Sequence, residues 1–341
     1  MKKLKGLVII LALVLVSAGA ASAEPFIIKL SHQSPATEAA AEHLASLAMI
    51  DYINKHSDGR IEVKYFPGAQ LGFEREVMES VQQGTVEMNF LAEGPLSGFF
   101  KPFYVFSIPY LFKDVSIAWK VLDGPFGDEF ADAFLKATGT RILAFGENGF
   151  RDFSNSVRPI EKVEDMKGMQ IRVMESQIYQ KLVASLGANP TPMPGGGELY
   201  SAMQQKVVDG QENPLDQIYS YRMYEVQKYV TTDHHTYSLA VLIINNKFYE
   251  SMPPDLQVVV KEAADVWKTV LRGIKYDKNR VAATLLEKKG IKISHLSPEA
   301  RKGFIDASRQ PVIEWINVQI GPEWPKKIIE ATEAVEKNYQ K

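Results

Sequence analysis

Short apolar runs that read as strands alternate with amphipathic stretches along most of this chain, and that rhythm limits the fold more than any single motif. It is the pattern of an α/β protein with mostly parallel sheets. Residues 26–30 (FIIKL), 61–65 (IEVKY), 87–91 and 140–145 read as strands, with helices expected at 39–56, 74–83 and 118–137. A second β-α series starts after Asn148, with strands at 170–174 (QIRVM) and 207–208 and helices at 176–186 and 199–205. Residues 240–245 (AVLIIN) are almost wholly apolar, as in a strand covered on both faces. Residues 256–289 hold no proline and only Gly273 interrupts them, so one helix is expected there. At 1.5 Å rise per residue it reaches roughly 50 Å, longer than one domain is wide, and braces two.

The first 23 residues lie outside that rhythm. Lys2, Lys3 and Lys5 precede ten residues without a polar group, and the stretch ends in Ala21-Ser22-Ala23, the layout of a secretory signal peptide. Ten apolar residues are too few to span a bilayer, which takes about 20. Cleavage after Ala23 leaves 318 of the 341 residues and, by removing three lysines, moves the formal charge from −2 to −5. The chain has no cysteine, hence no lipidated N-terminal Cys, disulfide, thiol metal ligand or thiol nucleophile. The mature protein is therefore expected free in the periplasm, without a membrane anchor. With 39 Lys+Arg against 41 Asp+Glu, the chain lacks the basic footprint of a nucleic-acid binder.

Few residues stand out as chemical groups. Alternation along 170–174 sends Arg172 to the face opposite Ile171 and Val173, where a guanidinium needs water, a structural carboxylate or an anionic ligand. Arg151 follows the expected domain crossing and has the same alternatives, Asp152 being one structural partner. Two arginines at a cleft would select organic acids through paired hydrogen bonds to a carboxylate. Asn213, in the polar segment that follows 207–208, falls beyond a strand's carboxyl end, where ligands collect in open α/β sheets. Gly195-Gly196-Gly197 lacks the spacing and the Lys-Ser/Thr of a phosphate loop. The six histidines form neither a metal motif nor a nucleophile triad, so no metal, cofactor or enzyme activity is expected. The aromatic run 99–112 reads as core, with a ligand wall as the alternative.

Together these segments are more specific than any one alone. Met166-Lys167-Gly168-Met169-Gln170-Ile171-Arg172-Val173, Leu186-Gly187-Ala188-Asn189-Pro190-Thr191-Pro192-Met193, Val208-Asp209-Gly210-Gln211-Glu212-Asn213-Pro214 and Tyr224-Glu225-Val226-Gln227-Lys228-Tyr229 closely resemble the solute-binding proteins of TRAP transporters, dicarboxylate-binding-protein (DctP) type. Pro67-Gly68-Ala69-Gln70-Leu71-Gly72 and the aromatic run match as well, so the resemblance spans nearly the whole mature chain.

The resemblance implies a two-lobed periplasmic-binding (flytrap) fold with a long interdomain helix. Lobe I would comprise 24–148 and 239–278, and lobe II 149–238 and 279–341. It implies a monomer that closes on a small organic acid and delivers it to small and large membrane permease subunits driven by an ion gradient. Arg172 becomes the carboxylate clamp, Arg151 and Asn213 further ligand contacts, and Glu93 an acceptor for ligand hydroxyls. His32, Gln33, His235 and Tyr237 are expected as pocket lining. A cleft glutamate would favour a hydroxylated or sugar acid over a bare C4-dicarboxylate. A ligand-sensing subunit for a receptor fits the same residues. Where the family often carries a bulky aromatic before Glu198, this chain has Pro194 and three glycines, which would widen the pocket locally.

Overall fold

The computed structural model describes residues 24–339; the expected leader and its cleavage point lie outside them. The first part runs β1 (Phe26–Ser31), α1 (Ala41–His56), β2 (Ile61–Phe66), α2 (Glu74–Gln83), β3 (Met88–Ala92), α3 (Glu93–Leu96), a 3-10 helix at Lys101–Ser107, α4 (Val115–Leu122), α5 (Pro125–Thr138) and β4 (Thr140–Phe145). The second runs β5 (Gly149–Asn155), β6 (Gln170–Val173), α6 (Gln177–Ser185), β7 (Asn189–Pro192), α7 (Gly197–Gln204), β8 (Gly210–Asn213), α8 (Leu215–Ser220) and β9 (Tyr229–Ser238). The chain then returns through β10 (Ala240–Asn245), α9 (Asn246–Ser251), α10 (Pro254–Lys288), β11 (Lys292–His295), α11 (Pro298–Ile320) and α12 (Glu323–Tyr339).

Two sheets result, ordered β2-β1-β3-β10-β4 and β11-β9-β5-β8-β6-β7. β1 is parallel to β2 and β3, and β6 to β7 and β8. Both sheets are nonetheless mixed, because β10 runs antiparallel to β3 and β4, and β5 antiparallel to β8 and β9. The antiparallel strands are the ones that cross between the sheets. The two crossings lie side by side, with Gly146 donating to the Ala240 carbonyl at 2.7 Å and Asn148 to that of Ser238 at 3.1 Å.

Three apolar clusters hold this arrangement. Trp267 and Leu271 of α10 pack under the first sheet with α1, whereas Ala282 and Leu286 of the same helix pack with Leu199, Leu215 and Ile218 of the second lobe. α10 is thus one rigid brace with a foot in each core. The aromatic run belongs to the third cluster: Phe103 and Phe106 meet Phe130 edge to face at 4.9 and 4.8 Å. α11 and α12 contribute Phe304, Val312, Ile316 and Ile328 to the same cluster.

Several elements differ from expectation. Residues 118–137 fall in two helices: the first stops at Leu122 with Asp123 as its C-cap, and Gly124 caps the second, which Pro125 opens where its missing N–H is harmless. The strand expected at 207–208 is a turn, with Lys206 at φ +59°, and β8 begins only at Gly210. Glycine is required there, since a Cβ would stand 2.2 Å from the Ser154 carbonyl oxygen. β5, β7, β9 and β11 match no expected strand.

Candidate ligand-binding cleft

A cleft that opens to solvent lies between the two sheets. Gln33, Ser34, Glu42, Glu74, Phe90 and Ala92 line it from the first lobe, and Arg151, Arg172, Gly195, Asn213, Gln217 and Tyr221 from the second.

Arg172 sits on β6 between the fully buried Ile171 and Val173 and is itself only 2% exposed. Its Nε and Nη2 both donate to the Met193 carbonyl, at 3.0 and 2.7 Å. Among the described residues Arg172 has no carboxylate within ion-pair distance. Burial, reinforced by Arg151 and opposed by Glu212, lowers its pKa to about 10. The group remains a cation at neutral pH, shielded from water and short of an anion.

Arg151 differs. Its Nε pairs with Glu212, and its Nη2 donates to Glu212 Oε1 at 2.9 Å and to Asn213 Oδ1 at 3.0 Å. His235 continues the chain of charges, with Nε2 3.4 Å from Glu212 and Nδ1 3.0 Å from Asp233, its ring stacked on Phe153 at 4.3 Å. Burial alone would lower the pKa of His235, but Asp233 and Glu212 hold it up at about 9. Burial likewise works to raise the pKa of Glu212, and Arg151 and His235 reverse the direction.

Of the residues expected at the site, Arg172, Arg151, Asn213 and Gln33 line the cavity, and four others do not. Glu93 is fully buried, and its carboxylate already accepts from Tyr179 Oη (2.5 Å), Ser238 Oγ (2.9 Å) and the Leu239 amide (3.1 Å). Those three donors leave it a structural role. His32 is buried against Phe90, with Nε2 2.6 Å from Tyr65 Oη. His235 lies behind Glu212, and Tyr237 is buried with its hydroxyl on Glu147.

Two carboxyl groups of the cleft escaped sequence reasoning. Glu74, at the start of α2, accepts the Ala92 amide at 3.2 Å; burial raises its pKa against the pull of that amide and of Arg172. Glu42, in the first turn of α1, pairs at 2.7 Å with Lys275, a fully buried residue of α10 that also reaches Asp216 at 2.9 Å. One ammonium thus joins a carboxylate from each lobe. Burial opposes ionisation of Glu42, yet Lys275 takes its pKa below the usual range. Nothing local in the sequence marks these glutamates, because each is an acidic residue in the first turn of a helix, a common position for one.

Two lobes joined by paired crossing strands and a shared long helix, with a polar cavity between them, define a solute-binding protein of the flytrap class. The chain belongs to the bacterial extracellular solute-binding protein family 7, or DctP family, whose model matches residues 30–317. It is 32% identical over 313 residues to the C4-dicarboxylate-binding periplasmic protein DctP of Rhodobacter capsulatus, covering 89% of this chain and 90% of that one. It is 29% identical over 267 residues to the 2,3-diketo-L-gulonate-binding periplasmic protein YiaO of Escherichia coli, covering 78% and 80%. Among solved structures it resembles the sugar acid binding protein DctPAm of Advenella mimigardefordensis in complex with galactonate. The TM-score is 0.87 at 32% identity, over 92% of this chain and 99% of the other. Solute binding rather than catalysis is what this family does. Among the described residues no helix is long and apolar enough to cross a membrane.

Proposed function

We propose that the chain captures a hydroxylated monocarboxylic acid, of the sugar-acid type, and hands it to the small and large membrane subunits of a TRAP transporter. The observation that carries this reading is Arg172, a buried guanidinium facing a cavity without a carboxylate partner among the described residues. Two of its N–H groups are fixed on Met193, which aims the remainder at the ligand carboxylate. A buried cation of this kind is favourable only with a matched anion. Asn213 and Gln33 are the neutral groups beside it, and Glu74 takes the hydroxyl-accepting role first assigned to Glu93.

A bare C4-dicarboxylate fits less well. Arg151 is already neutralised by Glu212, so only one guanidinium is unclaimed, and Glu74 and Glu42 would oppose a second carboxylate. In this reading the protein is a periplasmic monomer released by cleavage after Ala23. Lobe I comprises 24–148 and 239–278, lobe II 149–238 and 279–341, and the crossings at 146–149 and 238–240 act as hinges. The sheet membership of the strands supports that division, although α12 leans on α4 and α5.

A thermal-shift panel tests the reading, since a ligand that binds only the native state raises the melting temperature. D-Galactonate, D-gluconate, D-erythronate, succinate, L-malate and neutral galactitol serve as probes. A shift with a sugar acid and none with galactitol is expected. A shift with succinate or malate alone would overturn the substrate class.

A further inference from the structure

Gln33, Glu74 and Phe90 border two cavities at once. The second is a crevice with no room for a water molecule as it stands, lined in addition by Ser31, His32 and Asn89. Register explains why two of them are together: Ser31 of β1 and Asn89 of β3 are paired residues of neighbouring parallel strands, so both side chains leave the sheet on one face. Both are almost wholly buried. Ser31 Oγ, His32 Nδ1, Gln33 Nε2 and Asn89 Oδ1 have no hydrogen-bond partner among the described residues.

Four orphaned polar atoms around one pocket are not a neutral feature, because a buried donor or acceptor left unmatched is destabilising. Their chemistry is mixed: an amide N–H that donates, a carbonyl oxygen that accepts, a hydroxyl that does either and a ring nitrogen whose role follows the tautomer. An O–H group completes such a set, accepting from Gln33 and donating to Asn89. A carboxylate does not, since no lysine or arginine lines the pocket and Glu74 does. His32, the remaining titratable neighbour, is kept neutral by burial, with its pKa lowered to about 4.

We propose that this pocket is a subsite for the hydroxyl-bearing end of the ligand, the end remote from the carboxylate at Arg172. The proposal rests on the reading of the cleft as a sugar-acid site and adds a length requirement to it. Ser31 and Asn89 are fixed walls on the sheet, whereas Gln33 and Glu74 are half-buried and shared with the cleft. The pocket is tight, so the terminal hydroxyl enters as those two side chains swing aside.

Water admitted when those side chains move would supply the same O–H chemistry, and the test separates the two sources. D-Galactonate and D-fuconate differ only in the terminal hydroxyl. Calorimetric titration of both into the wild-type protein, Asn89→Leu and Ser31→Ala is the experiment. The wild type is expected to bind D-galactonate about tenfold more tightly, the equivalent of one buried hydrogen-bonded hydroxyl. Asn89→Leu is expected to bring D-galactonate down to the level of D-fuconate while leaving D-fuconate unchanged, and Ser31→Ala to narrow the gap. Equal binding of the two acids by the wild type overturns the subsite alone. So does an equal loss for both acids in Asn89→Leu, the mark of a trapped water. If neither acid binds, the subsite and the sugar-acid reading fall together.

Discussion

Arg151 and Glu212 face each other at the β5–β8 edge of the cleft, both essentially inaccessible to water, with Nη2 2.9 Å from Oε1. The pairing makes the two cleft arginines unequal. Arg151 is a cation whose partner belongs to the fold, and Arg172 has no carboxylate within ion-pair distance among the described residues.

Removing the charge of Glu212 should therefore act on stability first. Glu212→Gln leaves Arg151 buried and unmatched, and breaking one side of a buried pair costs about 3 kcal/mol or more. Urea denaturation of the ligand-free protein reads this directly. A loss below about 1 kcal/mol would mean that His235 and Arg151 rearrange without it.

His235 gives the same network a pH signature. Its folded pKa, about 9, lies above the 6.5 of the unfolded chain. The folded state then holds the proton more tightly, so this contribution is complete below pH 6.5 and is lost as pH rises through about 9. Each pKa unit corresponds to about 1.4 kcal/mol. Melting temperatures of the wild type and His235→Gln should differ most at pH 6 and converge toward pH 9.5. Parallel curves across that range would show that His235 does not carry the charge.

Lys275 is the point where both lobes meet one ammonium, between Glu42 and Asp216. Lys275→Met should lower stability by about 3–5 kcal/mol, because two carboxylates remain buried with no counter-charge. The triple variant Lys275→Met, Glu42→Gln, Asp216→Asn removes that imbalance and should recover most of the loss. Denaturant midpoints of the two variants decide it, and equal midpoints would contradict the account.

How much of this was legible in the sequence depended on polarity. β1, β4 and β10 read as strands because their side chains are apolar. β5 (GFRDFSN) and β9 (YVTTDHHTYS) did not, because they carry the buried Arg151, Asp152, Asp233 and His235, whose partners, Glu212 on β8 among them, only the folded sheet brings together. The same logic separates the site residues. Arg172 stood out from alternation on a short strand, whereas Asn213 was expected beyond a strand at 207–208 and is the last residue of β8. Glu74 and Glu42 did not stand out, since their role depends on which helix end the fold turns toward the cavity. Glu93 lies outside the cavity lining, and no local pattern reveals that Tyr179, Ser238 and Leu239 converge on its carboxylate.

The central claim is that Arg172 is the ligand's anion partner. Isothermal titration of the wild type and Arg172→Gln with the tightest acid from the thermal-shift panel tests it most directly, with melting curves of both ligand-free proteins as the control for folding. The account predicts at least a hundredfold loss of affinity, about 2.7 kcal/mol, in a variant that melts no lower than the wild type, since no internal ion pair is broken. Binding within threefold of the wild type would contradict it.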